Sequence, residues 1–173
     1  DACGNPATAT QIITIQDTIA PTFDAAPADI TVECIDDVPA MTNLGWTDNC
    51  DGSGSVAGSD SALSGDACGG TITRTWSYTD ACGNPATATQ IITIQDTSAP
   101  VISVEASNID IECDGTGNNG AIEAWLANNG GAIAADNCST ITWTNNYGGA
   151  TSDCAAPIEV IFTATDACGN AVS

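Results

Sequence analysis

Along residues 71–79 (TITRTWSYT) every second side chain is large or apolar. Ile72, Arg74, Trp76 and Tyr78 share one face, and threonines with Ser77 take the other. A two-residue period of this length predicts a half-buried β-strand. Ile158, Val160, Phe162 and Ala164 set out the same row again. Ile30-Val32-Cys34 and Ile109-Ile111-Cys113 predict a first strand in each of two segments, and QIITIQ, at residues 11–16 and 90–95, a last strand. Roughly seven short strands in ~80 residues, parted by Gly, Asn and Asp, are the signature of an antiparallel sandwich. The predicted class is all-β, as tandem immunoglobulin-like β-sandwich repeats. One stretch breaks the period. Residues 119–131 (NGAIEAWLANNGG) predict an inserted two-turn helix, stopped by Gly130 and Gly131, with Trp125 folded inward as a cap on the local core.

The chain also repeats itself. DACGNPATATQIITIQDTIAP at residues 1–21 returns as DACGNPATATQIITIQDTSAP at 80–100, with Ile19 replaced by Ser98, and TDACGN appears once more at 165–170. A fixed internal period signals a repeat array. The reading is therefore a last strand of a preceding repeat (1–19), a complete repeat (20–98), and a next repeat without its last strand (99–173). The later repeat differs by its helical insertion and by Ala134 where the earlier one has Trp46.

Charge narrows the function. The 173 residues hold 22 Asp plus Glu against one basic residue, Arg74, with no His, for a net charge of -21. Nucleic-acid binding needs a basic footprint, and none exists. Without His or Lys, Ser-His-Asp and Cys-His pairs, Schiff bases and phosphate lysines are excluded. Paired carboxylates need a cleft that small sandwiches in a string do not offer, so no enzyme is expected. No apolar run reaches the ~20 residues of a membrane span. The opening at Asp1 has no leader pattern. Arg74 is expected to lie over an aromatic ring near a sheet end.

Nine cysteines without a tight CxxC predict a disulfide framework in an oxidising, extracellular setting. Spacing cannot choose among the three pairings open to four cysteines. An immunoglobulin-like strand order can, by placing Cys34 and Cys68 at one end of the sandwich and Cys50 and Cys82 at the other. It predicts Cys34–Cys68, Cys50–Cys82, Cys113–Cys154 and Cys138–Cys168. Cys3 would belong to a repeat whose other cysteines lie upstream.

The segments ADITVEC, TDNC, TITRTW and TDACGNPATATQ…DTSAP together resemble the hyalin-repeat (HYR) family in its four-cysteine bacterial form. That resemblance implies an immunoglobulin-like sandwich used as a stalk or adhesin segment. It also implies tandem copies in large surface, gliding or adhesion proteins of Bacteroidota-type bacteria, exported by type IX secretion.

The acids are mostly Asp and sit in the segments between strands. In the inferred topology Asp17 of the linker meets Asp48 (TDNC) and Asp80 (TDAC), and Asp96 meets Asp136 and Asp166. Three converging carboxylates repel unless a cation joins them, and calcium suits Asp-rich loops. Turn chemistry alone is the competing account, because Asp caps turns through nearby backbone amides. Asp36, Asp37, Asp51 and Asp66 read as solvated surface. Thr18 and Ser61, in DTI and DSA, match a three-residue O-glycosylation signature. The expected partners are adjacent repeats of the same long chain, a lateral homo-oligomer in a fibre, and a cell-surface or glycan ligand. The expected role is an extracellular, cell-surface spacer stiffened by disulfides and calcium, with adhesion by the repeats themselves as the alternative.

Overall fold

The computed structural model describes residues 1–112, 115, 119–149 and 157–173. In chain order its elements are β1 (Thr22–Phe23), β2 (Ile30–Val32), β3 (Asn43–Asp48), β4 (Gly52–Ala57), β5 (Ser59–Asp60), β6 (Gly70–Thr79), β7 (Pro85–Ile94), β8 (Val101–Val104), α1 (Asn119–Ala127), β9 (Ile133–Ala135), β10 (Thr142–Asn145), β11 (Phe162–Thr165) and β12 (Ala171–Val172). The molecule is mostly β, in several sheets with one short helix, consistent with an immunoglobulin-like sandwich domain. Strands β2, β7, β6 and β5 are hydrogen-bonded in that order. The chain divides into two units, each drawing on separate stretches: Asp1–Pro27, Met41–Asp60 and Arg74–Gln90 form the first, and Ala28–Ala40, Ser61–Thr73 and Ile91–Ser173 the second.

In the first unit β3 pairs antiparallel with β1 and β4. Alternation along β3 turns Leu44 and Trp46 inward, and along β6 it buries Arg74 and Trp76. Trp76 is wholly buried, and its indole N–H donates to the Thr42 carbonyl at 2.9 Å, so its one polar atom is satisfied. Trp46 lies across the partner strand, where a Cβ on Gly54 would come within 2.7 Å of its ring. It stacks on Tyr78 at 3.7 Å. Arg74, expected over a ring, instead makes a two-pronged pair with Asp60, Nε to Oδ1 at 2.7 Å and an outer nitrogen to Oδ2 at 2.8 Å. A buried guanidinium is costly to desolvate without such a partner. Arg74 in turn holds the Asp60 carboxyl below its usual range.

In the second unit Ile72, Ile92 and Ile94 form a core cluster with Ile30, Val32, Val38 and Leu63 packed against it. Here β2 runs parallel to β7, with Ile30 opposite Ile92 and Val32 opposite Ile94. The inserted helix forms as predicted. Trp125 meets Phe162 edge-on at 5.1 Å and donates to the Ser107 carbonyl. Gly130 has a φ of 64°, and a Cβ there would press on Ala106, Phe162 and Trp125.

Three strand expectations need correction. Residues 11–16 form no strand, and Ile12, Ile13 and Ile15 are 90%, 81% and 95% exposed. Residues 109–112 also form none; β2, their counterpart, leans on β7, and the later repeat has only the two residues of β12 in β7's place. The predicted row from Ile158 is strand only over β11, where it pairs with β10.

Candidate metal centres

A short motif builds each centre. In D-x-C the Asp side chain folds back on its own turn. Asp48 Oδ1 accepts from the Cys50 and Asp51 amides, both at 2.8 Å. Asp136 Oδ1 accepts from Cys138 at 2.9 Å and Ser139 at 2.8 Å. In DACGN the Asn four residues on closes the loop. Asp80 accepts from the Cys82 and Asn84 amides and from the Asn84 side chain, and Asp166 repeats this wiring with Cys168 and Asn170. Each Asn also reaches the linker: Asn84 Nδ2 donates to the Asp17 carbonyl and Asn170 Nδ2 to that of Asp96, both at 3.3 Å.

In the first unit the ligand atoms of Asp17, Asp48 and Asp80 lie within 4.8 Å of one another. In the second unit the set within that distance is Asp96, Asp136 and Cys138. Asp166 falls outside this second set, yet its charge is felt there. Burial raises the Asp96 carboxyl above its usual range, and the charges of Asp136, Asp166 and Glu33 add to the rise. Cys138 is disulfide-bonded and offers no thiolate, which leaves oxygen as the ligand chemistry of both centres. Asp80 and Asp166 behave oppositely. Burial pushes each up, but hydrogen bonds led by Asn84 and Asn170 carry them below the ordinary value.

The two competing accounts of the acids now differ in what they explain. Turn chemistry accounts for both oxygens of Asp80 and Asp166 and for Oδ1 of the others. Buried Oδ2 atoms of Asp17, Asp48, Asp96 and Asp136 meet no donor among the described residues. Asp96 is only 5% exposed. Two centres built from corresponding stretches thus leave the same oxygens unpartnered. Such an oxygen is costly to bury, and a divalent cation would satisfy it.

Sequence reasoning missed several contributors. Glu33 accepts from the Thr97 amide and hydroxyl and from the Ser98 hydroxyl, fixing the linker that carries Asp96. These bonds hold its carboxyl below the usual range. The Asn of each DACGN was legible as a repeated letter but not as a linker contact. Asp51, read as solvated, accepts from Tyr78 Oη at 3.1 Å and the Ala81 amide at 2.9 Å. Burial, then Asp51 and the charges of Asp48 and Asp80, raise the Tyr78 hydroxyl. Asp37 accepts from the Cys34 amide, and Asp66 makes the same turn bonds as the other D-x-C segments. Asp36 is exposed. Thr18 is exposed; Ser61 is exposed too, but its hydroxyl donates to Ala62 and accepts from the Thr73 amide.

The disulfides overturn the predicted pairing. Cys34 joins Cys138, and Cys68 joins Cys168, with Cα separations of 5.0 and 5.2 Å. The predicted Cys34–Cys68 and Cys138–Cys168 bonds are therefore absent. Cys50 and Cys82, predicted to pair with each other, are unpaired thiols, as is Cys3. Cys113–Cys154 lies outside the described residues. The reason is positional: Cys34 follows β2, which pairs with β7, and β7 leads into the linker whose Asp96 lies beside Asp136 and Cys138. Each bond closes a loop of about a hundred residues, with sequence separations of 104 and 100. Chain entropy alone assigns roughly 4–5 kcal/mol to a loop of that size.

Residues 21–94 match the model of the HYR-like domain with 4 cysteines. No curated protein and no solved structure matches the chain. The matched domain and the two disulfides fit a structural or adhesive repeat module. No helix among the described residues is long and apolar enough to cross a membrane.

Proposed function

We propose that this chain is a spacer segment of an extracellular bacterial surface filament or stalk, in which tandem repeats are clamped by disulfides and stiffened by calcium. The observation that carries the calcium reading is the duplicated set of unpartnered Oδ2 atoms on Asp17, Asp48, Asp96 and Asp136. Calcium takes six to eight oxygens in flexible geometry, so Asp oxygens with carbonyls and water suit it better than they suit magnesium. Two disulfides support an oxidising, extracellular setting, and the HYR-like match favours a repeat module over an enzyme. Export by type IX secretion in Bacteroidota-type bacteria, with O-glycosylation at Thr18, belongs to the same reading. Near-identity of residues 1–21 and 80–100 favours length over recognition, because length is served by copying one unit.

Small-angle scattering with calcium and with chelator tests the proposal. A stiff, calcium-dependent increase in maximum dimension supports it. Capture of the chain on a glycan array, with dimensions indifferent to calcium, would assign adhesion instead.

A further inference from the structure

We infer that Cys50 and Cys82 are one half of a double disulfide clamp whose other half is a preceding copy of the same repeat. The partner cysteines are those at the positions of Cys34 and Cys68. The inference deepens the spacer reading and rests on its tandem arrangement, not on calcium or on the cell surface.

The second unit shows the closed clamp. Its Asp136–Cys138 turn and its Asp166–Cys168 turn present two sulfurs, and Cys34 and Cys68 of the earlier repeat meet them. The first unit holds the same presenting half. Cys50 sits on the Asp48 turn and Cys82 on the Asp80 turn, with matching bonds at 2.8–2.9 Å. The linker is in place as well, since Asp17 stands where Asp96 stands and receives the same Asn contact. Among the described residues no cysteine meets Cys50 or Cys82. Asn137 donates to the sulfur of Cys34, across the closed bond, whereas the matching Asn49 donates to its own neighbour Cys50.

The missing half has a determined place. Cys34 lies two residues past Val32, which pairs with Ile94, and Gln95 donates to the Val32 carbonyl at 2.9 Å. Ile15 and Gln16 are the copies of Ile94 and Gln95. Ile94 is fully buried while Ile15 is 95% exposed. A β2-like strand laid beside residues 13–15 would cover them and deliver its cysteine to Cys50. Each bond forms by thiol–disulfide exchange: two thiols give up two electrons and two protons to the disulfide of an oxidised dithiol oxidoreductase, which leaves as two thiols. Repetition of the clamp would run a covalent path through the array in parallel with the backbone.

A chain carrying an added copy of residues 20–79 ahead of Asp1 tests this, because residues 1–19 then complete one more repeat. The protein is secreted through an oxidising compartment, alkylated, cleaved with pepsin without reduction, and mapped by mass spectrometry. Cys50 should be joined to the added copy's Cys34 and Cys82 to its Cys68, with alkylation at both falling from near complete in the 173-residue chain to near nil. A Cys50–Cys82 bond, any other partner, or persistent alkylation of either overturns the inference. Cys34–Cys138 and Cys68–Cys168 in the same digest report folding. Cys50→Ser in the extended chain should free the added Cys34 alone, and release of both added cysteines would count against the pairing. Failure of the spacer reading would register separately, as glycan capture with this map unchanged.

Discussion

Residues 84–95 and residues 5–16 share the sequence NPATATQIITIQ, yet the first stretch contains strand β7 and the second contains no strand. Ile92 and Ile94 are wholly buried; their copies Ile13 and Ile15 are 81% and 95% exposed. Intrinsic propensity is identical in the two, so it cannot be the cause. What differs is company. β7 has β2 on one side and β6 on the other, and a strand's stability comes from its ladder and its covered face. The same contrast separates the cysteines: Cys138 and Cys168 are bonded to Cys34 and Cys68, whereas Cys50 and Cys82, on matching turns, are free. Order in these two stretches follows the strands beside them, not their letters.

The comparison should vanish when the missing neighbour is supplied. In the chain extended by residues 20–79, amides of residues 7–15 should gain hydrogen-exchange protection on the order of a thousand-fold or more, the range of a domain's global stability. Unchanged exchange would break the argument. Next in size are the cysteines. Cys34→Ser with Cys138→Ser should lose roughly 4 kcal/mol in a denaturant melt, whereas Cys50→Ser or Cys82→Ser in the 173-residue chain should stay within about 0.5 kcal/mol. Equal losses would mean that all four act alike. Ile92→Ala should cost about 3 kcal/mol through lost contacts and a cavity; Ile13→Ala should cost less than about 0.5 kcal/mol. Calcium should add about 2.7 kcal/mol per site at a hundred-fold excess over Kd, measured by melting with and without chelator.

The smallest effect is the most particular. The Asp96 carboxyl is raised in the folded state, so its contribution to stability is present below the ordinary carboxylate range and is lost as pH rises through the raised value. Asp96→Asn should therefore stabilise the metal-free protein above that window, leave it unchanged below, and abolish the calcium response of the second centre. Asp80 and Asp166 carry the opposite sign: their stability is present above the ordinary range and lost as pH falls through their lowered values. Melting temperature against pH in chelator separates the two.

Much of the fold was legible because local pattern and local structure agree. The alternation of residues 71–79 became β6, and residues 119–131 became α1 with its glycine stop. Legibility failed where the deciding contact is remote. Residues 11–16 read as strand because nothing in their letters says which strand, if any, lies beside them. Strand order within a single sandwich pairs Cys34 with Cys68, while the parallel β2–β7 pairing carries Cys34 to the Asp136–Cys138 turn. For the centres, the Asp positions could be read from TDNC and TDAC. The division of labour between their two oxygens could not, since it depends on which amides each turn brings within reach.

Disulfide mapping of the unreduced 173-residue chain tests most directly that successive repeats are joined by sulfur. The account predicts peptides linking Cys34 to Cys138 and Cys68 to Cys168, with Cys50 and Cys82 alkylated. Peptides linking Cys34 to Cys68 and Cys138 to Cys168 would contradict it.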